Sequence, residues 1–356
     1  MGGVMELSSK QLNIDLGAIK KTVVDKMQSL KPTNFEENDV NLFFDNIGFQ
    51  EKFWLMSHDE NYYYDYVEYR ILMNKTRERR IVLDHPLYLL IEPTSVCNLR
   101  CPMCFQDDAS FTTKEYMGMI NFDLFCNLVE EAKDIGVKAI TLASRGEPTL
   151  HSKFIDMLKF LKNKDIMDVK VNTNATRLNE EKIRAIIEND VCELVLSIDS
   201  AVPEEYESLR LGAKFEKTLA AVQLLKKIID EYPNRKTLTR ISGVNMNDKQ
   251  DWDKFFKFWS QYIDQVGWVP SEMRWDTYNN PVNKDMGPCS YPWERMYVWY
   301  DGKANPCDVD YKSLLSSGKY PDLSLKELWM KQAKLRDDHE KQLRSDYVPC
   351  DRCGVC

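Results

Sequence analysis

Ten cysteines are the residues of this 356-residue chain best suited to chemistry, and most of them are clustered. Cys97, Cys101 and Cys104 lie within one short segment, with three and then two residues between neighbours. Three thiolates on one loop can bind three irons of a cubane cluster and leave the fourth iron without a protein ligand. An open metal position serves catalysis, whereas a structural zinc site has four protein ligands. The loop therefore predicts a catalytic cluster, with a structural zinc loop or an electron-carrier loop as the alternative.

A second group of cysteines lies near the carboxyl terminus. Cys289 and Cys307 form a loose pair, and Cys350, Cys353 and Cys356 follow close to the end of the chain. Two distant pairs that converge on one point make a four-thiolate site, which suits either zinc or an iron–sulfur cluster. The spacing does not choose between the two. The remaining cysteines sit among apolar neighbours and are predicted to be inert core thiols, namely Cys126 and Cys192.

The elements that must position the first loop alternate between short apolar strands and amphipathic helices from residue 86 to about 270. Such alternation predicts parallel strands joined by right-handed crossover helices. About six strand–helix units fit, so we expect an α/β fold built as an open, partial (β/α)6 barrel with the loop at the carboxyl end of its first strand. The predicted strands are Leu87–Ile91, Ala139–Ala143, Val169–Val171, Leu194–Ile198, Leu238–Val244 and Gln265–Val269, and the helices are Phe122–Ile135, His151–Asn163, Glu180–Asn189, Phe215–Glu231 and Asp251–Tyr262.

Two flanking regions differ from the barrel in composition. Residues 1–85 are expected to form a charged helical extension, because apolar residues recur with helical spacing from Leu16 to Met27. A run of tyrosines from Tyr62 to Tyr69 predicts a half-buried helical face packed on the barrel, with a binding platform as the alternative. Residues 279–356 are rich in proline, aromatics and cysteine, which predicts a small metal-stapled domain. The predicted domains are therefore 1–85, 86–278 and 279–356.

The first cysteine loop resembles the signature of the radical S-adenosylmethionine enzymes, a CxxxCxxC triad followed directly by an aromatic residue, here Phe105. A second similarity lies at the end of the second predicted strand. There, Gly146-Glu147-Pro148 resembles the family segment that contacts the amino group of S-adenosylmethionine. Many members have a glycine where this chain has Arg145, which would either crowd the site or reach towards an anionic substrate. The resemblance implies a [4Fe–4S] cluster on the triad, with S-adenosylmethionine at its open iron.

Weaker similarities at the next two strand ends extend the implied cofactor site. Asn174 lies in a segment that resembles the family's Thr-Asn-Gly turn, with Ala175 in place of the glycine. Ser197 ends the fourth predicted strand. The resemblance implies that Asn174, Ser197 and one of Arg210 or Arg240 contact the cofactor.

The C-terminal cysteines resemble the SPASM/twitch extension of the same enzymes, which binds auxiliary [4Fe–4S] clusters. The full extension carries seven cysteines, whereas this chain has five there. The resemblance therefore implies the shorter twitch form, with one auxiliary cluster on Cys289, Cys307, Cys350 and Cys353. Cys356 is then surplus, and it could be an alternative ligand, a terminal thiol or a catalytic donor of a hydrogen atom.

The activity implied by the resemblance is formation of a 5′-deoxyadenosyl radical, which abstracts a hydrogen atom from a substrate C–H bond. An auxiliary cluster would accept an electron and give oxidation (dehydrogenation), whereas a thiol donor such as Cys356 would give epimerisation. The mixed charged and aromatic segment from Trp268 to Tyr278 suits a carbohydrate or cyclitol, although a solvated interdomain loop explains it as well. A peptide- or protein-modifying maturase is the alternative, and a non-catalytic cluster or zinc scaffold is the second alternative. A flavodoxin or ferredoxin-type protein would be the reductant.

Composition limits the remaining classes. The formal net charge is −8 and 43% of the residues are hydrophobic, so neither a nucleic-acid binder driven by bulk charge nor a disordered chain is expected. No apolar stretch approaches the roughly 18 residues of a membrane span, and the amino terminus has no apolar signal core. Clustered cysteines without such a signal indicate a reducing compartment. We therefore expect a cytoplasmic enzyme that binds neither nucleic acid nor membrane.

Overall fold

Strands and helices alternate through the middle of the chain, as predicted from the sequence. The computed structural model describes residues 12–30, 34–79, 81–247, 249–271, 278 and 287–353. Its strands are β1 (Tyr88–Ile91), β2 (Ala139–Leu142), β3 (Asp168–Thr173), β4 (Glu193–Ser197), β5 (Leu238–Asn245), β6 (Gln265–Pro270), β7 (Arg295–Val298), β8 (Lys303–Asn305) and β9 (Gly318–Lys319). Its α-helices are α1 (Leu16–Ser29), α2 (Glu37–Asp45), α3 (Phe49–Ser57), α4 (Tyr63–Arg77), α5 (Phe122–Ile135), α6 (Phe154–Asn163), α7 (Glu180–Glu188), α8 (Pro203–Leu209), α9 (Phe215–Asp230), α10 (Trp252–Trp259), α11 (Tyr291–Glu294), α12 (Leu325–Lys331) and α13 (Ala333–Glu340).

Helix α5 shows how local sequence defines a crossover helix. The side chain of Asn121 accepts hydrogen bonds from the backbone N–H groups of Asp123 and Leu124, which caps the amino terminus. Gly136 ends the helix with a φ of 97°, a left-handed conformation that suits glycine. The buried residues lie on one face with helical spacing and pack on the sheet: Phe125, Leu128, Val129 and Ala132.

The strands form one open sheet of order β6-β5-β4-β3-β2-β1-β7-β8-β9. Strands β1 to β6 pair in parallel with their neighbours, so their carboxyl ends share one edge. Both edge strands have only one neighbour, and the barrel therefore stays open within the described ranges. This confirms the predicted α/β fold with a partial barrel of six parallel strands.

The N-terminal helices cover the amino-terminal ends of the parallel strands, opposite the end where the cysteine loop lies. Their apolar cluster includes Val23, Leu55 and Val67, and it packs on Ala139 at the start of β2 and Cys192 just before β4. Tyr64, Tyr66 and Tyr69 are buried in the same cluster, which confirms the prediction that the tyrosine run packs on the barrel. The extension therefore closes the floor of the barrel, far from the carboxyl ends of the strands.

The C-terminal region shares the barrel's sheet, a feature that the sequence prediction missed. Strand β7 pairs in parallel with β1, in the register Tyr88 opposite Arg295 and Ile91 opposite Val298. Strands β8 and β9 then add to β7 in antiparallel fashion. We keep 279–356 as a proposed domain, but its first strands extend the barrel wall rather than stand apart from it.

One helix boundary differs from the prediction for a local reason. Helix α6 begins at Phe154 rather than at His151. A single 3-10 turn over Pro148–Leu150 precedes it, and the ring of His151 accepts a hydrogen bond from the backbone N–H of Lys153. None of the helices in the described part of the chain is both long enough and apolar enough to span a bilayer.

Candidate active site and auxiliary cysteine site

A cavity of about 680 Å³ lies at the carboxyl ends of the parallel strands. Its wall includes the three cysteines of the first loop, the turn after β2 and inward-facing side chains of β3, β4 and β5. Ligand sites of parallel α/β folds form at this edge, because several strand-end loops converge there. The structure thus brings together all of the cofactor-site residues predicted on the strand ends except Pro148: Cys97, Cys101, Cys104, Phe105, Gly146, Glu147, Asn174, Ser197, Arg210 and Arg240.

The three thiols of the first loop are buried, so their thiolate forms need a positively charged partner. Burial raises the pKa of Cys97 to about 11 and that of Cys104 to about 12, and it also raises the pKa of Cys101. Three thiolates in this position therefore need positive charge, which iron supplies. Arg210 Nη1 lies 3.9 Å from Cys101 Sγ, and Asn174 Nδ2 lies 3.9 Å from Cys97 Sγ. These donors fit the hydrogen bonding to sulfur that iron–sulfur clusters require, so the residues present suit a cluster.

Gly146 joins the turn after β2 to the cysteine loop. A Cβ atom on Gly146 would lie 2.2 Å from the carbonyl oxygen of Thr94 and 2.5 Å from that of Val96. The backbone N–H of Glu147 donates a 3.0 Å hydrogen bond to the same Val96 carbonyl. Only glycine permits this approach, because any side chain would push the two loops apart.

Glu147 connects the ends of β2 and β3. Its carboxylate accepts hydrogen bonds from the Thr173 hydroxyl and the Asn174 backbone N–H, each 2.7 Å long. Thr149 donates to it through both its backbone N–H and its hydroxyl. Burial raises the pKa of Glu147, although these four hydrogen bonds oppose the rise. The carboxylate thus holds the turn after β2 against the end of β3.

Arg145 was expected either to crowd the site or to reach towards an anionic substrate, but the structure pairs it with another residue of the protein. Its guanidinium forms a buried, two-pronged ion pair with Glu92 at the end of β1, with Nε 2.7 Å from Oε1. A further hydrogen bond of 2.8 Å joins Nη1 to the carbonyl of Tyr311, and the group stacks 4.2 Å from the Trp299 ring. Arg145 therefore links β1, β2 and the C-terminal region, and its charge is already balanced by Glu92.

Phe105 and its neighbour stabilise the loop from the side. Phe105 is buried and stacks on Tyr311, with ring centroids 5.2 Å apart. The side-chain amide of Gln106 donates to the carbonyl groups of Ser95 and Arg145. These contacts connect the cysteine loop to the turn after β2 and to the C-terminal region.

The register of the strands separates Arg210 from Arg240. Arg210 follows α8, pairs with Asp199 and reaches Cys101, so it lies beside the loop. Arg240 lies on β5 opposite Val195, two residues below the row of Ser197 and Ser242. Arg210 therefore lies beside the cysteine loop, whereas Arg240 faces a deeper part of the cavity.

The four C-terminal cysteines predicted to act together border one smaller cavity, namely Cys289, Cys307, Cys350 and Cys353. Arg344 fixes the last two, since its guanidinium donates to the carbonyl groups of Cys350, Cys353 and Gly287 at 3.1, 3.0 and 2.9 Å. Burial raises the pKa of Cys307, and it raises that of Cys350 to about 12. Crowded, desolvated thiols of this kind suit a cluster that carries its own positive charge. Within the described ranges, no three Cys, His, Asp or Glu side chains are close enough to share a single metal ion.

Tyr291 belongs to the walls of both cavities. Cys307 lines the smaller cavity, and the next residue, Asp308, lines the larger one. The two cavities are therefore adjacent, with Tyr291 in the walls of both. The sequence analysis missed Tyr291, Asp308 and the inward-facing polar residues of β3. The inward-facing residues of β3 could have been predicted from the alternation of side chains along the strand. A charged residue at an inward position has to line the cavity.

Several other residues singled out in the sequence line neither of the two cavities or lie outside the described residues. Cys192 is buried under the N-terminal helices, in agreement with a core thiol, whereas Cys126 is only half-buried on α5 at the margin of the core. Trp268 stacks on Trp252 of α10, with ring centroids 5.1 Å apart. Cys356 and residues 272–277 of the expected substrate segment lie outside the described residues.

Two family models match the chain. Residues 91–258 match the radical SAM superfamily, and residues 289–356 match an iron–sulfur cluster-binding domain named SPASM. The chain therefore belongs to the radical SAM superfamily and carries a SPASM domain. These two domains imply binding of [4Fe–4S] clusters and S-adenosylmethionine.

Individual relatives are similar over parts of the chain. A tungsten-containing aldehyde ferredoxin oxidoreductase cofactor-modifying protein of Pyrococcus furiosus is 32% identical over 126 residues, covering 35% of this chain and 34% of that protein. A cysteine-type anaerobic sulfatase-maturating enzyme of Clostridium novyi is 29% identical over 188 residues, covering 49% of this chain and 48% of that protein. The chain thus spans between a third and a half of the length of these curated relatives.

Solved structures share the fold. BtrN in complex with AdoMet and 2-DOIA has a TM-score of 0.53 and 16% identity, covering 76% of this chain and 93% of that one. SuiB of Streptococcus suis bound to the precursor peptide SuiA has a TM-score of 0.55 and 13% identity, covering 96% of this chain and 87% of that one. At these identities the similarity concerns the fold alone.

Proposed function

We propose that the protein is a dehydrogenase that oxidises a small hydroxylated molecule, a carbohydrate or cyclitol, at a carbinol carbon. The observation that carries this proposal is the wall shared by the two cysteine-lined cavities. A substrate in the larger cavity would lie close to an electron acceptor held by the C-terminal cysteines. A short path of this kind suits removal of a second electron from the substrate.

S-adenosylmethionine and the cluster, when bound at the first loop, supply a 5′-deoxyadenosyl radical that takes a hydrogen atom from a C–H bond. The chain's own residues orient the reactants. Arg210 and Ser197 would hold the carboxylate and ribose of the cofactor, and the carbonyl groups of the turn at Gly146 would hold its ammonium group. The cluster ligands would be Cys97, Cys101 and Cys104 at this site and Cys289, Cys307, Cys350 and Cys353 at the auxiliary site. A flavodoxin or ferredoxin-type protein would deliver the initiating electron.

Asp308 is the residue best placed to accept the remaining proton. Once a hydrogen atom has left the carbinol carbon, formation of a carbonyl group requires loss of one electron and of the hydroxyl proton. Asp308 lines the cavity and is the next residue after Cys307, so its carboxylate belongs to the part of the wall nearest the C-terminal cysteines. The proton would move to the Asp308 carboxylate while the electron leaves towards the C-terminal cysteines, which completes a two-electron oxidation.

The shape of the cavity favours a small substrate. The N-terminal helices close its floor, where Gln50 of α3 donates a 3.0 Å hydrogen bond to Glu193 at the start of β4. Serine, asparagine and basic side chains line the wall, which suits hydroxyl groups. A floor that is closed by packed helices leaves no entry there for an extended polymer.

A peptide- or protein-modifying maturase is the second candidate. The similarity to the sulfatase-maturating enzyme and the fold shared with SuiB favour it. Such an enzyme needs a surface that delivers a peptide to the mouth of the cavity. Against it, the N-terminal helices pack at the opposite end of the strands, where they support the floor.

Isotope tracing of the reconstituted protein tests the main proposal. The anaerobically loaded protein would be reduced with sugars and cyclitols deuterated at carbinol carbons, and 5′-deoxyadenosine would be analysed for deuterium. We expect deuterium transfer together with a carbonyl product. Transfer from a peptide substrate instead would favour the maturase, and stoichiometric zinc without cleavage of S-adenosylmethionine would favour a scaffold.

Two variants separate oxidation from epimerisation. Asp308→Asn should lower carbonyl formation at least about tenfold while cleavage of S-adenosylmethionine continues, because a carboxamide is a poor proton acceptor. Asp322→Asn, at an exposed position, is the matched control.

Cys356→Ala should leave the dehydrogenase active. Loss of product in this last variant, with epimer formed by the wild type, would show that Cys356 is the catalytic hydrogen-atom donor of an epimerase.

A further inference from the structure

Two cations line the deeper part of the larger cavity, away from the cysteine loop. Lys170 of β3 lies opposite Glu193 of β4, and Arg240 of β5 lies opposite Val195 of β4. Ser197, at the end of β4, is two residues above Val195 and four above Glu193. At about 3.3 Å per residue, the backbone of Arg240 lies roughly 7 Å below the Ser197 row, measured along the strands. The backbone of Lys170 lies roughly 13 Å below it.

The single carboxylate that serves both cations is already occupied. Glu193 Oε2 lies 2.8 Å from Lys170 Nζ, and Glu193 Oε1 accepts a hydrogen bond from Gln50. Arg240 Nη1 is 3.9 Å from Oε1, which is a weak contact, and Arg240 Nε is buried with no hydrogen-bond partner in the described part of the chain. Lys170 and Arg240 line the cavity, whereas Glu193 lies behind it.

A purely structural role for this group does not account for Arg240. One cation is enough to balance Glu193, and Lys170 supplies it. The 3.9 Å contact leaves the charge of the largely buried Arg240 guanidinium incompletely balanced, and an anionic ligand in the cavity that Arg240 lines would supply the missing charge. Asp168, the next carboxyl group in depth, accepts a long hydrogen bond from the Tyr69 hydroxyl, and burial raises its pKa, which favours its uncharged form.

We infer that Arg240 and Lys170 form an anion-binding subsite at the base of the cavity, which takes a carboxylate or phosphate group of the substrate. This inference rests on the proposed function, because it treats the cavity as the substrate site. The planar fork of arginine matches either anion with two parallel hydrogen bonds. Asn172 of β3 and Ser242 of β5 also line the cavity, and their polar side chains suit the hydroxyl groups of the same molecule. The substrate class is thus a polyhydroxylated molecule with one anionic group, either a sugar acid or a sugar phosphate.

The depth of the subsite gives it a role in positioning. An anionic group bound near Arg240 would direct the rest of the molecule upwards, so that its carbinol carbons face the cysteine loop. Binding energy from a remote charged group would then orient the reacting carbon.

Equilibrium binding to the iron-loaded protein, with S-adenosylmethionine present and no reductant, tests the subsite without turnover. The probes are D-glucuronate, D-glucose 6-phosphate and uncharged D-glucose, measured by calorimetry. We expect one or both anionic probes to bind at least about tenfold more tightly than glucose, and Arg240→Gln to remove that advantage. Preference for glucuronate would identify a sugar-acid site, and preference for glucose 6-phosphate a phosphate site.

Matched variants make the result specific. Arg184→Gln removes a half-buried arginine on α7 that does not line the cavity, and it should leave binding unchanged. Arg240→Lys keeps the charge without the fork, so it should fold even if Arg240→Gln does not, and it should weaken binding of the preferred anionic probe. Iron content and affinity for S-adenosylmethionine are measured on every variant.

Several results would overturn the inference. They are absence of binding by both anionic probes to fully loaded protein, equal binding of glucose, and unchanged binding in the Arg240 variants. A variant that loses affinity for S-adenosylmethionine alone would assign Arg240 to the cofactor and also overturn it. If the wild type cleaves S-adenosylmethionine on reduction but binds neither anion, only this inference fails. If it does not cleave the cofactor at all, the proposed function fails as well.

Discussion

Gly146 leaves no room for a side chain between the turn after β2 and the cysteine loop. In Gly146→Ala, the new methyl group would meet two backbone carbonyl groups at 2.2 and 2.5 Å, and backbone cannot rotate away as a side chain can. We expect the cysteine loop to shift, which would lower the iron content of the first site and the affinity for S-adenosylmethionine. Overpacking of this kind costs about 1–3 kcal/mol of unfolding free energy. Iron analysis and calorimetry measure both effects.

Gly287→Ala is the control for that variant. A Cβ atom on Gly287 meets no atom within 4 Å, although the residue lies near the auxiliary cysteines. Its iron content should equal that of the wild type. If Gly146→Ala binds the cofactor normally, Gly146 has no part in holding the cofactor site together.

The ion pair of Arg145 with Glu92 leads to a second prediction at this scale. Arg145→Ala leaves the Glu92 carboxylate buried without its partner, so we expect a loss of about 3–5 kcal/mol of unfolding free energy, measured by urea denaturation. Adding Glu92→Gln removes the unpaired charge and should recover much of that loss. The exposed pair Lys341 with Asp337 is the control, and Lys341→Ala should cost no more than about 1 kcal/mol. A small effect of Arg145→Ala would mean that water reaches Glu92.

The residues that line the larger cavity were largely predictable, but their partners were not. The triad and the Gly146-Glu147-Pro148 segment are continuous stretches whose spacing alone carries information. The charge on Arg145 suggested an anionic ligand, whereas the structure pairs it with Glu92 and with the Tyr311 carbonyl. Such partners come from distant parts of the chain, so the local sequence around Arg145 does not predict them.

At the scale of elements, the strands and crossover helices of the barrel were predicted within a few residues. Buried parallel strands are short apolar runs bounded by polar residues, and amphipathic helices have a distinct period, so both have strong local signals. The inward-facing row of β3 was overlooked because Lys170 and Asn172 interrupt the apolar run. In the structure those interruptions are the cavity lining.

Helix α3 gives a prediction about pH. His58, directly after α3, stacks on Trp54, and burial lowers its pKa to about 4, from an ordinary value of 6.5. Lys236 lowers it further and Asp190 opposes the shift. Between pH 6.5 and pH 4, the unfolded chain binds a proton at His58 that the folded protein does not bind. Folded stability is therefore complete above about pH 6.5 and falls as the pH drops towards 4, with a slope of up to about 1.4 kcal/mol per pH unit from this residue.

Urea denaturation of His58→Gln at several pH values between 4 and 7 measures that contribution. The variant loses the stacking and is less stable at pH 7, but its stability should fall less steeply with decreasing pH than that of the wild type. His339, whose pKa is also lowered to about 4 by burial, retains part of the dependence. An unchanged slope in His58→Gln would show that His58 takes up its proton equally in both states.

At the scale of the whole molecule, the unexpected feature is that the SPASM region and the barrel share one sheet. Strand β7 lies beside β1, although they are far apart in the chain, and this places Tyr297 and Trp299 in a common buried cluster with Leu90. Pairing between distant segments depends on the complete fold, which is why the cysteine-rich region looked like a separate appendage in the sequence. The shared sheet also explains how Tyr291, at the start of α11, reaches both cavities.

Removal of two auxiliary cysteines tests whether this joined architecture couples the two sites. In Cys350→Ala/Cys353→Ala, the sheet pairing of β7 with β1 is untouched, so we expect a folded protein whose iron content falls from about eight to about four per chain. Cleavage of S-adenosylmethionine at the first loop should continue, but the carbonyl product should fall at least about tenfold, because the substrate lacks a nearby acceptor for its second electron. Cys126→Ala, on the outer helix α5, should change neither quantity. Full product formation with only about four irons would show that oxidation does not depend on the C-terminal cysteines, and the dehydrogenase proposal would fail.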